Sequence, residues 1–146
     1  MRAFDIREMK ASDVKECVPF FIEEYAAYGE KWSAASAQKY LTEKFSSSNK
    51  SFCAVAGGEI VGLAIASSFT WWDGKRVFLE EIVVRKEFQH KGIGTELFKM
   101  VEKYASEHGA SGINTITFRN SKAMRFHEGN GFGGTRLDYI EKKLKR

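Results

Sequence analysis

Phe78-Leu79-Glu80-Glu81-Ile82-Val83-Val84-Arg85-Lys86-Glu87-Phe88-Gln89-His90-Lys91-Gly92-Ile93-Gly94 is the stretch whose reading decides the fold. Its first seven residues are rich in β-branched side chains and short enough for a buried strand. Beyond the basic turn, Ile93, Leu97, Met100, Val101 and Tyr104 recur at helical spacing. Gly109 then supplies the residue type that ends helices in a left-handed conformation. The segment predicts a strand, a glycine-containing loop, and an amphipathic helix of about four turns.

That arrangement has a chemical use. The first backbone N–H groups of a helix lack partners within it, and the helix dipole adds partial positive charge there. Glycines let such a backbone approach an anion closely, because no Cβ intervenes. Arg85, Lys86, His90 and Lys91 surround the turn and add charge suited to a phosphate. Two-glycine loops are common, however, so spacing alone leaves an ordinary strand-to-helix turn with solvated lysines as the alternative. The pattern is neither GxGxxG nor a P-loop GK[ST], which argues against nicotinamide and nucleoside-triphosphate binding.

Two motifs carry a family resemblance. Gln89-His90-Lys91-Gly92-Ile93-Gly94 resembles the Q/R-x-x-G-x-G/A signature of the GNAT acetyltransferases, and it follows a strand as that family requires. Downstream, Asn120-Ser121-Lys122-Ala123-Met124-Arg125-Phe126-His127-Glu128-Gly129-Asn130-Gly131-Phe132 resembles the family's N-x-x-A-x-x-F-Y-E-x-x-G-F helix. The resemblance covers most of the chain, but only these two segments are specific. It implies one acetyltransferase domain over residues 1–146, of mixed α/β class with a single mixed sheet and helices on both faces.

Bulk properties agree with that class. A chain of 146 residues has the usual size of one domain, and its 43% apolar content and single proline fit a compact globule. The longest apolar run, residues 60–66, is far too short to span a bilayer, and residues 1–10 show no leader pattern. The expectation is a cytoplasmic protein with no membrane partner. Cys17 and Cys53 fall in no metal or redox spacing, and His90, His108 and His127 are scattered singly, so no metal site is expected. The net charge of +4 and the basic end of Lys142, Lys143, Lys145 and Arg146 accompany no nucleic-acid-binding motif, and an anionic cofactor accounts for the balance equally well.

In chain order, Phe4, Ile6 and Met9 set a strand-like alternation. Ser12 or Asp13 is placed to cap a helix with Glu16, and Val14, Cys17, Val18, Phe21, Ile22 and Tyr25 give that helix an apolar face. Pro19 inside it predicts a kink. A second helix is expected near residues 33–45. Residues 51–56 and 59–70 read as strands joined by a Gly57-Gly58 turn. Past Gly109 come a strand over 113–118, a helix near 121–128 and a last strand over 135–144. The resulting order is β-α-α-β-β-β-α-β-α-β, the order of the GNAT fold.

The reaction implied by the resemblance moves an acetyl group from acetyl-CoA to an amine. An alkylammonium has a pKa of about 10.4, so it must lose a proton before attacking. The developing oxyanion needs donors, and the departing thiolate benefits from an acid. By resemblance, the backbone of Ile82, Val83 and Val84 meets pantetheine and offers the oxyanion donor, and the amides of Lys91, Gly92, Ile93, Gly94 and Thr95 hold the pyrophosphate beside Gln89 and His90. Asn120 and Ala123 complete the cofactor set. Strand alternation puts Glu80 and Glu81 on opposite faces, so only one can face the acceptor. Glu80 matches the family's base, and Glu81 is the fallback as an acceptor-binding carboxylate. His127 holds the place where the family has Tyr, and it is the candidate proton donor; a surface histidine with solvent as acid is the alternative. Tyr104 and Tyr139 are further candidates.

Acceptor recognition is assigned to Tyr25, Tyr28 and Trp32 with neighbouring carboxylates, which suit a cationic amine; a solvated helix end with core aromatics is the alternative. Ser68-Phe69-Thr70-Trp71, Gly74-Lys75 and Leu79-Glu80-Glu81 resemble polyamine and thialysine acetyltransferases over a short span. The expectation is a small-molecule amine as acceptor and no nucleic acid, with a homodimer as the assembly considered. Acetylation of protein amino groups, or CoA binding with little catalysis, are the competing readings.

Overall fold

The structure is a computed structural model and describes residues 3–145. The chain divides into two compact units, one ending at Thr115 and the other beginning at Ile116.

The first unit is built from β1 (Asp5–Glu8), α1 (Val14–Ala26), α2 (Ala34–Ser47), β2 (Lys50–Ala56), β3 (Glu59–Trp71), β4 (Gly74–Val84), α3 (Ile93–Glu107) and β5 (Ile113–Thr115). The strands form one sheet in the order β1-β2-β3-β4-β5. All pairs are antiparallel except β4–β5, which is parallel. Gly57 and Gly58 turn β2 into β3 with φ of 57° and 79°, the twist-compatible hairpin that needs both central residues left-handed. Ser33 caps α2 by accepting the Ser36 N–H at 3.0 Å. The end of α3 is closed by the Ala110 N–H donating to the Ala105 carbonyl at 2.9 Å around a left-handed Gly109. Pro19 lies inside α1, which remains a single helix.

The expected side-chain cap at the start of α1 does not form, and the carboxylates of Asp13 and Glu16 bond elsewhere. The Asp13 carboxylate accepts from the Lys10 N–H at 2.7 Å and from the Arg7 guanidinium at 2.8 and 3.1 Å. Glu16 reaches across the sequence to accept the Ile60 N–H at 2.7 Å. Both carboxylates satisfy backbone donors that secondary structure leaves over, and Glu16 thereby ties α1 to β3.

Two layers cover the sheet. Cys53, Leu63, Ile65 and Val83 pack with Cys17, Val18 and Phe21 of α1 and with Ala37 and Leu41 of α2. On the other face lies α3, whose Ile93 and Leu97 approach Gly62 closely enough that a Cβ there would meet Leu97 Cδ1 at 3.1 Å.

A bulge in β4 changes which layer that strand serves. Ile65 pairs with Glu81 and the next β3 residue, Ala66, pairs with Leu79, so Glu80 has no partner across the ladder. Val77 pairs with Ser68, whose hydroxyl meets Tyr104 of α3 at 3.1 Å, which puts Val77 and Leu79 on the α3 side. Beyond the bulge, Val83 and Glu81 belong to the α1/α2 side. The parallel pairing with β5 stops at Leu79–Thr115, so from Glu81 to Val84 the strand ladders with β3 and not with β5.

In the second unit α4 (Lys122–Gly129) starts from Ser121, whose Oγ accepts the Met124 N–H at 3.0 Å. The strand expected over 135–144 does not form; those residues have no regular structure. Leu137 and Tyr139 alternate, but Ile140 breaks the parity and charged residues follow, so no face reads as consistently apolar. The strand expected over 113–118 ends at Thr115. In the basic end, Lys142, Lys143 and Lys145 are exposed, and Arg146 lies outside the described residues.

Candidate active site

Glu80 and Glu81 do not lie on opposite faces as strand alternation predicts. The bulge turns both toward α1 and α2. The Tyr25 and Tyr40 hydroxyls donate to the two oxygens of Glu81, each at 2.5 Å. Glu80 Oε1 accepts from Lys44 Nζ of α2 at 3.0 Å. Glu81 is only 8% exposed, and burial pushes its pKa up to about 7. The two tyrosine hydrogen bonds oppose that rise; nearby Glu30 adds to it, and Lys44 opposes it. Burial, with the Glu81 charge adding to it, raises both tyrosines well above the usual phenol range.

Aromatic rings surround the pair. Tyr28 lies 6.3 Å from Tyr25, and Trp32 lies 5.0 Å from Tyr40 and 5.2 Å from Phe21, centroid to centroid. Trp32 Nε1 donates to Glu30 at 2.9 Å. Tyr25, Tyr28, Trp32 and Glu81, all assigned to the acceptor from sequence, thus belong to one cluster. Sequence reading missed Tyr40 and Lys44. Their signal was present: they lie four residues apart on α2, next to the stripe of Ala37 and Leu41 that faces the sheet.

The loop before α3 is shaped for an anion. Gln89 Nε2 donates to the Val84 carbonyl and to Glu24 Oε2, both at 2.9 Å, fixing the loop to the end of β4 and to α1. His90 and Gly92 are both left-handed, with φ of 62° and 84°, which turns successive amides into a concavity. Gly92 caps α3, and the first helical bond runs from the Glu96 N–H to its carbonyl at 3.0 Å. The amides of Ile93, Gly94 and Thr95 precede that bond and have no helical partner. The buried Ile93 side chain anchors the turn at 2% exposure. A Cβ placed on Gly92 would meet nothing within 4 Å, so the space beside the cradle is open. Lys91 is exposed, with its Nζ 5.4 Å above the Phe88 ring. These residues fit a pyrophosphate. Ile82 and Val84 are half-buried and Val83 is in the core, so what that edge offers a ligand is backbone.

In the second unit Asn120 is exposed and left-handed at φ 51°, two residues before α4. Ala123 is half-buried on α4. His127 is buried, edge-on to Phe126 and Phe132 at 5.4 and 5.2 Å, and its Nδ1 has no hydrogen-bond partner among the described residues. Burial lowers its pKa, so the ring is neutral at pH 7 and carries one N–H. It is not a surface histidine. Tyr104 is engaged by Ser68, and Tyr139 is exposed. Among the described residues no helix is long and apolar enough to cross a membrane.

Known proteins share this fold and carry the family. Bovine thialysine N-epsilon-acetyltransferase is 31% identical over 65 residues, which are 44% of this chain and 38% of that protein. The matched stretch thus spans well under half the length of that relative. An uncharacterized N-acetyltransferase of Bacillus subtilis, YhfO, is 26% identical over 133 residues, 88% of this chain and 89% of its own. Among solved structures, a possible acetyltransferase from Clostridium difficile 630 superposes with a TM-score of 0.81 at 15% identity, covering 99% of this chain and 100% of that one. Aminoglycoside N-acetyltransferase AAC(6')-Iy, solved in complex with CoA, gives 0.77 at 22% identity, covering 96% and 94%. At these identities the superpositions show the fold. The model of the acetyltransferase (GNAT) family matches residues 17–132, well over half of the chain and both motif-bearing segments, and the chain belongs to that family.

Proposed function

We propose that the protein is an acetyl-CoA-dependent N-acetyltransferase acting on a small cationic primary amine, with a carboxylate as base. The observation that carries this reading is the β4 bulge, which brings Glu80 and Glu81 together beside Tyr25, Tyr40 and Trp32. Carboxylates and aromatic faces are what an ammonium group binds. The family match runs through both units, and we take residues 1–146 as one catalytic domain. A cytoplasmic setting accords with the two free, buried cysteines.

Acetyl-CoA, when bound, supplies an acetyl group as a thioester. The loop amides from Lys91 to Thr95 bind its pyrophosphate, with Gln89 holding the loop and His90 shaping it. The strand edge at Ile82, Val83 and Val84, free of a β5 partner, aligns the extended arm and donates to the developing oxyanion. Asn120 and Ala123 enter the cofactor set on the motif alone. Tyr25, Tyr28, Trp32 and Glu81 hold the acceptor. Glu80, the less buried carboxylate at 18% side-chain exposure, accepts the proton from its ammonium. His127 takes the family tyrosine's role as proton donor to the departing sulfur.

The test is Glu80→Gln, read by thiol release on a panel of amines. Turnover is expected to fall by about 10²–10⁴ with CoA affinity retained. Wild-type turnover in Glu80→Gln together with collapse in Glu81→Gln would move the base to Glu81.

A further inference from the structure

Lys44 stands where the acceptor of the proposed reaction should stand. It lies in the last turn of α2, with its Nζ 3.0 Å from Glu80 Oε1 and 5.7 Å above the centroid of the Tyr40 ring. That is a primary alkylammonium on the proposed base and against an aromatic face, the two contacts ascribed above to a cationic substrate. Among the described residues it is the one cation bonded to either carboxylate of the pair. Its side chain is 36% exposed and that of Glu80 18%, so the pair holds weakly and an incoming amine can displace it.

We propose that Lys44 is an internal acceptor: it fills the ammonium place on Glu80 when no amine is bound, and acetyl-CoA then acetylates it. The inference rests on the reading of Glu80 as base. In the step, Lys44 Nζ passes one proton to Glu80 and forms an N–C bond to the acetyl carbon as the C–S bond breaks. Nζ loses its second proton as the amide forms, the thiolate takes up one proton to leave as CoA thiol, and Glu80 returns its proton to solvent. The acetylated side chain is neutral, so Glu80 loses its ion-pair partner. Lys44 therefore limits access to Glu80 until it is modified or displaced.

The full chain is incubated with acetyl-CoA and no amine, then followed by intact mass and peptide mapping. Cadaverine acetylation is measured on the same preparation. One acetyl group per chain is expected at Lys44, at a rate independent of protein concentration and slowed about tenfold or more by Glu80→Gln. Without acetyl-CoA, calorimetry should show Lys44→Met binding cadaverine up to about fivefold tighter than the wild type. Lys44 left unmodified in protein that acetylates cadaverine overturns the inference and leaves the proposed function standing. Acetyl groups spread evenly over many lysines, a rate that rises with protein concentration, or indifference to Glu80→Gln also overturns it. Transfer to neither Lys44 nor any amine overturns both.

Discussion

At the scale of single residues, two buried titratable groups give the protein opposite pH dependences. Glu81 is raised from the usual 4.5 to about 7, so between those values the folded chain holds a proton that the unfolded chain releases. Its contribution is therefore most favourable below that window and falls as pH rises through it, by on the order of 3 kcal/mol once both states are ionised. Glu81→Gln keeps an acceptor for a tyrosine hydroxyl and removes the charge. Its melting temperature relative to wild type should be higher near about pH 8 than near about pH 5. A difference that stays constant with pH would show that Glu81 is not held protonated by burial. His127 is lowered by burial, so below its ordinary pKa of about 6.5 the unfolded state binds a proton that the folded state refuses. Stability from this group is full above that value and is lost as pH falls. His127→Phe should flatten the acid side of the stability profile, and if His127 is the proton donor, turnover should fall while CoA affinity holds. Unchanged turnover in that variant would leave the histidine a structural group.

At the scale of elements, the loop between β4 and α3 was legible because its signals are local. Gly92 must adopt φ 84°, which glycine does freely, and the apolar repeat of Ile93, Leu97 and Val101 is visible in one short window. Gly92→Val should lose CoA binding by filling the cradle and lose about 1–2 kcal/mol of stability by forcing a β-branched residue left-handed. The measurements are CoA calorimetry and a urea midpoint, and unaltered CoA affinity in a folded variant would sink the phosphate assignment. The bulge at Glu80 was not legible. It is a relation between β4 and the Ile65–Ala66 step of β3, and nothing within β4 itself announces it. Alternation along β4 alone therefore predicts glutamates facing apart, where the bulge turns them to one side. The same limit explains the strand expected over 135–144: a few alternating apolar residues suggest a strand, but only a laddered neighbour makes one. The local pattern makes Glu16 part of a cap, whereas in the fold it satisfies an amide 44 positions away.

At the scale of the whole molecule, length and composition fit a compact globule, and two motifs carry the family; the cluster around Glu81 depends on packing. Tyr25 on α1, Tyr40 and Lys44 on α2, and the glutamates of β4 converge only after two helices have docked on one sheet face. The core beneath them supplies an independent check. Cys17 and Cys53 are both fully buried, and burial pushes Cys53 up to about 11 and Cys17 higher still. Neither thiol should react with a disulfide reagent in the native protein, and both should react in concentrated guanidinium. Fast native labelling of either would mean that this half of the core opens readily.

The unpaired residue in β4 acts as a dislocation in an otherwise regular lattice. Before it, odd-numbered positions feed one layer; after it, odd-numbered positions feed the other. Exchange of Glu80 for another side chain leaves that phase slip in place. Excision of residue 80 would not. It would set Leu79 and Glu81 side by side opposite Ala66 and Ile65, a regular ladder that keeps Glu81 and Val83 facing α1 and α2 and loses only the second carboxylate. The extra residue is what lets two consecutive carboxylates share one face of a strand.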